Sequence, residues 1–353
     1  MAQSLPRLVP GRSLGGPAAL PLILVAFVLA VSVLSLTGGA AGLGPGDLFQ
    51  AWTGDGLTER DRVVLFDIRL PRLAMGLAVG ASLAVAGVLL QGLFRNPLAD
   101  PGIVGINAGA GLGAVLAIVL GGALPAGLLA ATGSWQVPLA AFLGGWGATL
   151  LLYRIATHGG RTDVTLMLLA GIALAALTGA ATGVLVYLAD DQQLRDLTFW
   201  SMGSLAGATW TKLAAALPLL LLSLLLAPSL ARGLNALALG EGQALHLGVE
   251  VQRLKRLAIF ASAAATGAAV AVSGGIGFVG LVVPHLLRQA LGPDHRRLIP
   301  ASALLGGGLL VLADLFSRTI VAPAELPIGI VTALLGAPVF LWILLTQRRG
   351  SMV

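Results

Sequence analysis

Between Pro17 and Leu36 the chain runs for about twenty residues without a charged side chain, and comparable stretches return along its whole length. About 20 apolar residues in a helix cross the hydrocarbon core of a bilayer. A helix also satisfies its own backbone donors and acceptors, which lipid cannot do. The apolar runs predict ten helices, over about 17–37, 70–93, 103–121, 137–156, 164–188, 209–228, 254–273, 277–291, 298–316 and 328–346. No soluble domain interrupts them, so the expected fold is a single all-α polytopic membrane domain over residues 1–353. The eighth helix is short and follows the flexible turn SGGIG.

Composition agrees: 57% of the 353 residues are hydrophobic and 10% are charged, against about a quarter charged in soluble domains. A net charge of +6 could point to nucleic acid. The cations sit instead in loops between apolar runs and form no basic stripe. The absence of cysteine excludes a disulfide framework and thiolate chemistry. The first run follows Arg7 and Arg12 and precedes Gly39-Ala40-Ala41, which resembles a signal-peptidase site. It is longer than the 7–15 residues of a signal core, so it reads as a retained span.

Lysine and arginine placement sets orientation. With the N-terminus in the cytoplasm, basic residues fall about two to one on the cytoplasmic side, and the C-terminus is cytoplasmic too. Arg60, Arg62, Arg69 and Arg72 stand out as an external cluster. Small residues four apart, Gly76 and Gly80, then Gly105, Gly109 and Gly113, let helix backbones approach closely in lipid. Proline-rich reversals interrupt the spans at FRNPLADPG, 94–102, and APAELPIG, 322–329.

Several chemistries are excluded. No Walker A, H-E-x-x-H or G-x-S-x-G motif is present. Gly275, Gly277 and Gly280 match G-x-G-x-x-G, but they lie between two spans with no preceding strand. His158, His246, His285 and His295 are too scattered to form a metal site. Asp314 has Arg318 four residues on, the spacing of a local helical pair. No acidic residue falls near a span's midplane, which disfavours proton coupling.

The order of segments resembles a known family. IRLPR at 68–72, GASLAVAGVLLQGLFRNPLADPGIVGINAGAGLGA at 80–114, ALGEGQALHLGV at 238–249, GGIGFVGLVVPHLLR at 274–288 and AELPIGIVTALLGAPVFLWIL at 324–344 are similar to the permease subunits of iron-siderophore, haem and vitamin B12 ABC importers. The resemblance implies a vitamin B12 importer-like fold with an inverted repeat relating helices two to five and seven to ten. It implies a homodimer with the path between copies, in a bacterial inner membrane. The partners implied are two ATP-binding subunits and a periplasmic substrate-binding protein, with lipid around the spans. The chain would be no enzyme and hold no cofactor, because ATP and Mg sit on the partner subunit.

The resemblance also assigns residues. Arg69, Arg72 and Arg318, in periplasmic loops about 38–69 and 317–327 or at their edges, would receive acidic residues of the binding protein. From local sequence alone, Arg69 and Arg72 could instead pair with Asp61, Asp67 or lipid headgroups. Leu239, Gly240, Glu241, Leu247 and Gly248, within coupling helices over about 234–250, would meet the ATPase, with Gly240 at a turn between two short helices. Val164 and Thr165 match a cytoplasmic gate, although valine departs from the family's small polar residues. The third external loop, about 189–208, lies in LADDQQLRDLTFWSMGSLAGATW and looks closest to haem permeases. There Arg195 would meet haem propionates, and Phe199, Trp200 and Met202 would offer aromatic or soft contacts. Capping by Asp190 or Asp191 and interfacial tryptophan explain much of this stretch without a ligand. Ferric siderophore and vitamin B12 remain alternative cargoes, and an ATPase-independent secondary carrier is the alternative from another class.

Overall fold

A computed structural model describes residues 19–39, 44–53 and 57–350. Arg7, Arg12 and the Ala40-Ala41 part of the signal-like site lie outside the described residues. Each expected span is a helix: α1 (Ala19–Thr37), α4 (Leu70–Phe94), α5 (Ile106–Leu120), α7 (Gln136–Ala156), α8 (Val164–Leu188), α10 (Trp210–Leu237), α12 (Val251–Ser273), α13 (Val279–Leu291), α14 (His295–Thr319) and α15 (Ile328–Gly350). Shorter helices fill the loops: α2 (Pro45–Thr53), α3 (Glu59–Val63), α6 (Ala126–Thr132), α9 (Asp191–Ser201) and α11 (Glu241–His246). A π-helical turn, Val64–Arg69, carries α3 into α4. Among the described residues, eight helices are long and apolar enough to cross a membrane, and α13 and Ile328–Trp342 are shorter apolar helices.

Helix α4 is apolar all round, as a helix buried on every side must be. It packs against α14, α12, α10 and α13. Its most apolar window is 78% buried and that of α12 is 72%, against 17% for α1 and for α8. The helices that open the two expected repeats are therefore the two central ones. Helix α8 instead turns Leu169, Ile172, Leu177 and Val184 outward.

Close helix contacts explain the glycines. A Cβ on Gly80 would overlap the Gly306 carbonyl, and one on Gly109 would overlap the Gly144 carbonyl. Gly105 differs from the expected packing stripe: it caps α5 with φ 75°. Helix α1 is part of the bundle, with Val31, Leu73 and Val311 forming one buried cluster.

Helix α10 runs past the expected end near 228 to Leu237. Its final turns lose hydropathy and become amphipathic, with Leu230, Leu234 and Leu237 buried and Arg232 exposed. The segment 234–250 therefore contains one short helix, α11, after a long one, rather than two short helices. Gly240, at φ 115°, makes the turn, a conformation that costs a residue with a Cβ.

Candidate functional site

At one end of the bundle, the three arginines singled out in the sequence face inward. Arg72 follows Pro71 in the first turn of α4. Its Nε and Nη2 donate to both carboxylate oxygens of Asp314 at 2.8–3.0 Å. Its Nη1 and Nη2 donate to Glu325 at 2.9 and 3.0 Å. Asp61 and Asp67 are thus not its partners, and its fork is filled from within the chain by Asp314 and Glu325. Arg69 is 5% exposed and donates to the Leu36 carbonyl. Arg318 donates to the Ser35 carbonyl and hydroxyl. Its expected helical pair with Asp314 is present, but at 3.7 Å it is the looser of that carboxylate's two ion pairs. Main-chain carbonyls and two carboxylates of the same chain hold these three expected docking residues. Arg69 and Arg318 converge on Gly39, where an added Cβ would lie 3.5 Å from a guanidinium nitrogen of each. Arg60 and Arg62 of α3 are the exposed cations of that cluster.

Toward the same end, the chain breaks between α12 and α13 and three segments meet. Ser204 N–H donates to the Ser273 carbonyl at 2.7 Å, Ile328 N–H to Gly203 at 3.1 Å and Gly329 N–H to Met202 at 2.9 Å. The G-x-G-x-x-G match lies here: Gly275 packs on the Ser201 carbonyl and Gly280 lies against α4 at Gly87. No strand precedes it, and contact accounts for those two glycines. Asp190 caps α9 in a capping box with Gln193.

Phe199 and Trp200 line an open cavity of about 310 Å³ with Ser134, Ser204, Lys212 and Gly274. Arg195 and Met202 do not line it: Arg195 is exposed beside Gln192, and Met202 is engaged through its carbonyl. Lys212 escaped the sequence reading. Its signal was a lysine in a chain whose cations are nearly all arginine, three residues after the cap Thr209.

At the opposite end, Val164 and Thr165 form the first turn of α8, capped by Asp163. They line a polar cavity of about 390 Å³ with Arg95, Arg161, Glu241, Gln252 and Lys255. The fold thus brings the expected gate and one expected coupling residue, Glu241, into one cavity. Leu239 and Leu247 are exposed at 66% and 64%, and Gly240 and Gly248 flank α11 at positive φ. In the nearby reversal 94–102, Asp100 caps a turn by accepting from Gly102 N–H at 2.7 Å, and burial pushes its carboxyl above the usual range.

The sequence pattern of the FecCD transport family matches residues 24–346. The hemin transport system permease protein of Yersinia pestis is 46% identical over 333 residues, covering 93% of this chain and 97% of that protein. A vitamin B12 import system permease protein of Escherichia coli is 40% identical over 329 residues, covering 93% and 95%. The solved structure of an inward-facing metal-chelate type ABC transporter superposes with TM-score 0.80 at 35% identity, covering 92% of this chain and 98% of that one.

Proposed function

The chain belongs to the FecCD transport family, and from that premise we propose that it is the membrane permease of an ATP-driven importer whose cargo is haem. The observation that carries the cargo reading is the 46% identity to a hemin permease along nearly the full length of both chains. The cavity supports it: Phe199 and Trp200 offer aromatic faces and Lys212 a cation for a flat, apolar molecule with carboxylate arms. The ATP-hydrolysing sites belong to partner subunits. Helix α11, with exposed Leu239, Leu245 and Leu247 around it, is the surface offered to them. A second copy would pack against the outward face of α8, where Gly179 and Gly183 have open space for close approach.

Binding-protein docking is assigned to Arg69 and Arg318. Arg69 holds a neutral carbonyl, and Arg318 holds the Ser35 carbonyl and hydroxyl beside a long 3.7 Å contact to Asp314; an incoming carboxylate would replace the carbonyls with a stronger charge-assisted acceptor. Arg72 already holds two carboxylates and serves as scaffold.

The test is uptake into vesicles holding the permease, its ATPase subunits and a matched binding protein, with haem, ferric siderophore and cobalamin in competition. ATP-dependent haem entry that the other two do not suppress is expected. Cobalamin or siderophore entry that haem leaves untouched would reassign the cargo. Entry without ATP would favour a secondary carrier.

A further inference from the structure

Lys255 is a lysine in the second turn of α12 whose side chain is 3% exposed. A buried ammonium ion needs a counter-charge and acceptors, because desolvation costs several kcal/mol otherwise. Here the counter-charge is Glu241 of α11, with Nζ to Oε1 at 2.8 Å. A second donor of the same ammonium goes to the Thr162 carbonyl, also at 2.8 Å. One turn earlier on α12, Gln252 Oε1 accepts from Thr162 N–H at 2.9 Å. Both backbone groups of Thr162 are therefore held by α12, and one of the two holders is also bound to α11.

Thr162 is joined to α8 with little slack. Residues 157–162 form a hairpin, pairing Thr157 with Thr162 and His158 with Arg161. Gly159 and Gly160 turn it at φ 57° and 76°, the positive values a two-residue hairpin requires. The Asp163 N–H closes it on the Ala156 carbonyl at 2.8 Å. The Asp163 side chain then caps Thr165 and Leu166 at 2.8 and 3.1 Å. A rigid path runs from Glu241 through Lys255 and Thr162 to the first turn of α8.

We infer that Lys255 is a positioning residue that ties α11 to the inner end of α8, so that a displacement of α11 moves Val164 and Thr165. This inference rests on the permease reading, in which α11 meets the ATPase. If Glu241 moves away, Lys255 loses its counter-charge while still buried. The lowest-energy response keeps α11, α12 and the hairpin together.

The test uses the complete complex in vesicles and the variant Lys255→Met, which keeps the stem and removes the charge. Uptake per ATP hydrolysed should fall about tenfold, the scale of a coupling free energy of 1–3 kcal/mol. Assembly and ATP hydrolysis should persist. A second arm uses the absence of native cysteine. Spin labels at Leu169→Cys on α8 and Gln243→Cys on α11, both exposed in the chain and carried together by a single permease copy of the complex, should give one narrow distance distribution in the parent and a broadened one with Lys255→Met. If Lys255→Met fails to fold, Lys255→Gln, neutral but still able to donate to the Thr162 carbonyl, carries both arms. Parental stoichiometry or an unchanged distance distribution would overturn the inference. Absence of ATP-driven uptake in the parent would overturn the permease reading instead, with the label arm still deciding the tie.

Discussion

Arg72 donates through Nη2 to Asp314 at 2.8 Å, joining the first turn of α4 to the end of α14 across 242 residues of sequence. Both residues are under a tenth exposed. Without the Asp314 charge, Arg72 keeps only Glu325 and the buried Arg318 keeps no carboxylate among the described residues; breaking a buried pair typically costs about 3–5 kcal/mol. Asp314→Asn should therefore lower thermal stability in detergent steeply. Equal melting of parent and Asp314→Asn would show that the pair holds nothing together.

The α4–α14 seam gives a second expectation. With the Gly306 carbonyl where a Gly80 Cβ would stand, Gly80→Val must separate the helices. Overpacking of this kind costs about 1–3 kcal/mol. Gly111→Val, with open space around it, should be tolerated. Calorimetry of the two variants side by side checks the contrast, which fails if they melt alike.

Docking separates the arginines by role. Arg69→Gln with Arg318→Gln should weaken binding-protein-dependent uptake about tenfold or more in protein that still folds, since charge-assisted bonds contribute about 1.5–3 kcal/mol each. Affinity for the binding protein in the parent should fall as salt rises. Normal binding by the double variant would remove both residues from the docking face.

Asp100 predicts a pH dependence. Burial raises its carboxyl above the ordinary 3.8, so the native state binds the proton more tightly than the unfolded chain. Stability contributed by that proton is complete below the unfolded value and is lost as pH rises toward the folded one. Asp100→Asn, which can still accept from Gly102 N–H, should flatten this decline. Melting temperatures across the acid range decide the matter, and identical slopes for parent and variant would remove Asp100 as the cause.

Some of this was legible along the chain because its causes are local. Gly240 and Pro101 mark turns because backbone geometry is intrinsic to glycine and proline. Asp190 marked a helix start for the same kind of reason. The C-terminal end of α10 was not legible from hydropathy, because its last turns are stabilised by burying Leu230, Leu234 and Leu237 on one face only. Lys212 was not legible as a site residue, since Phe199 and Trp200, which line the same cavity, lie on a different helix.

The sequence by itself determined where the apolar helices lie and the family pattern. Long apolar runs have one low-energy solution in lipid, the hydrogen-bonded helix, and that solution needs no distant partner. The tertiary structure alone decided where the charges go. Local spacing pairs Asp314 with Arg318, yet the fold gives Asp314 first to Arg72. Lys255, one cytoplasmic cation among many in the sequence, becomes a buried link between Glu241 and Thr162. An ion pair's partner depends on which distant helices share an end of the bundle, and only packing brings them there.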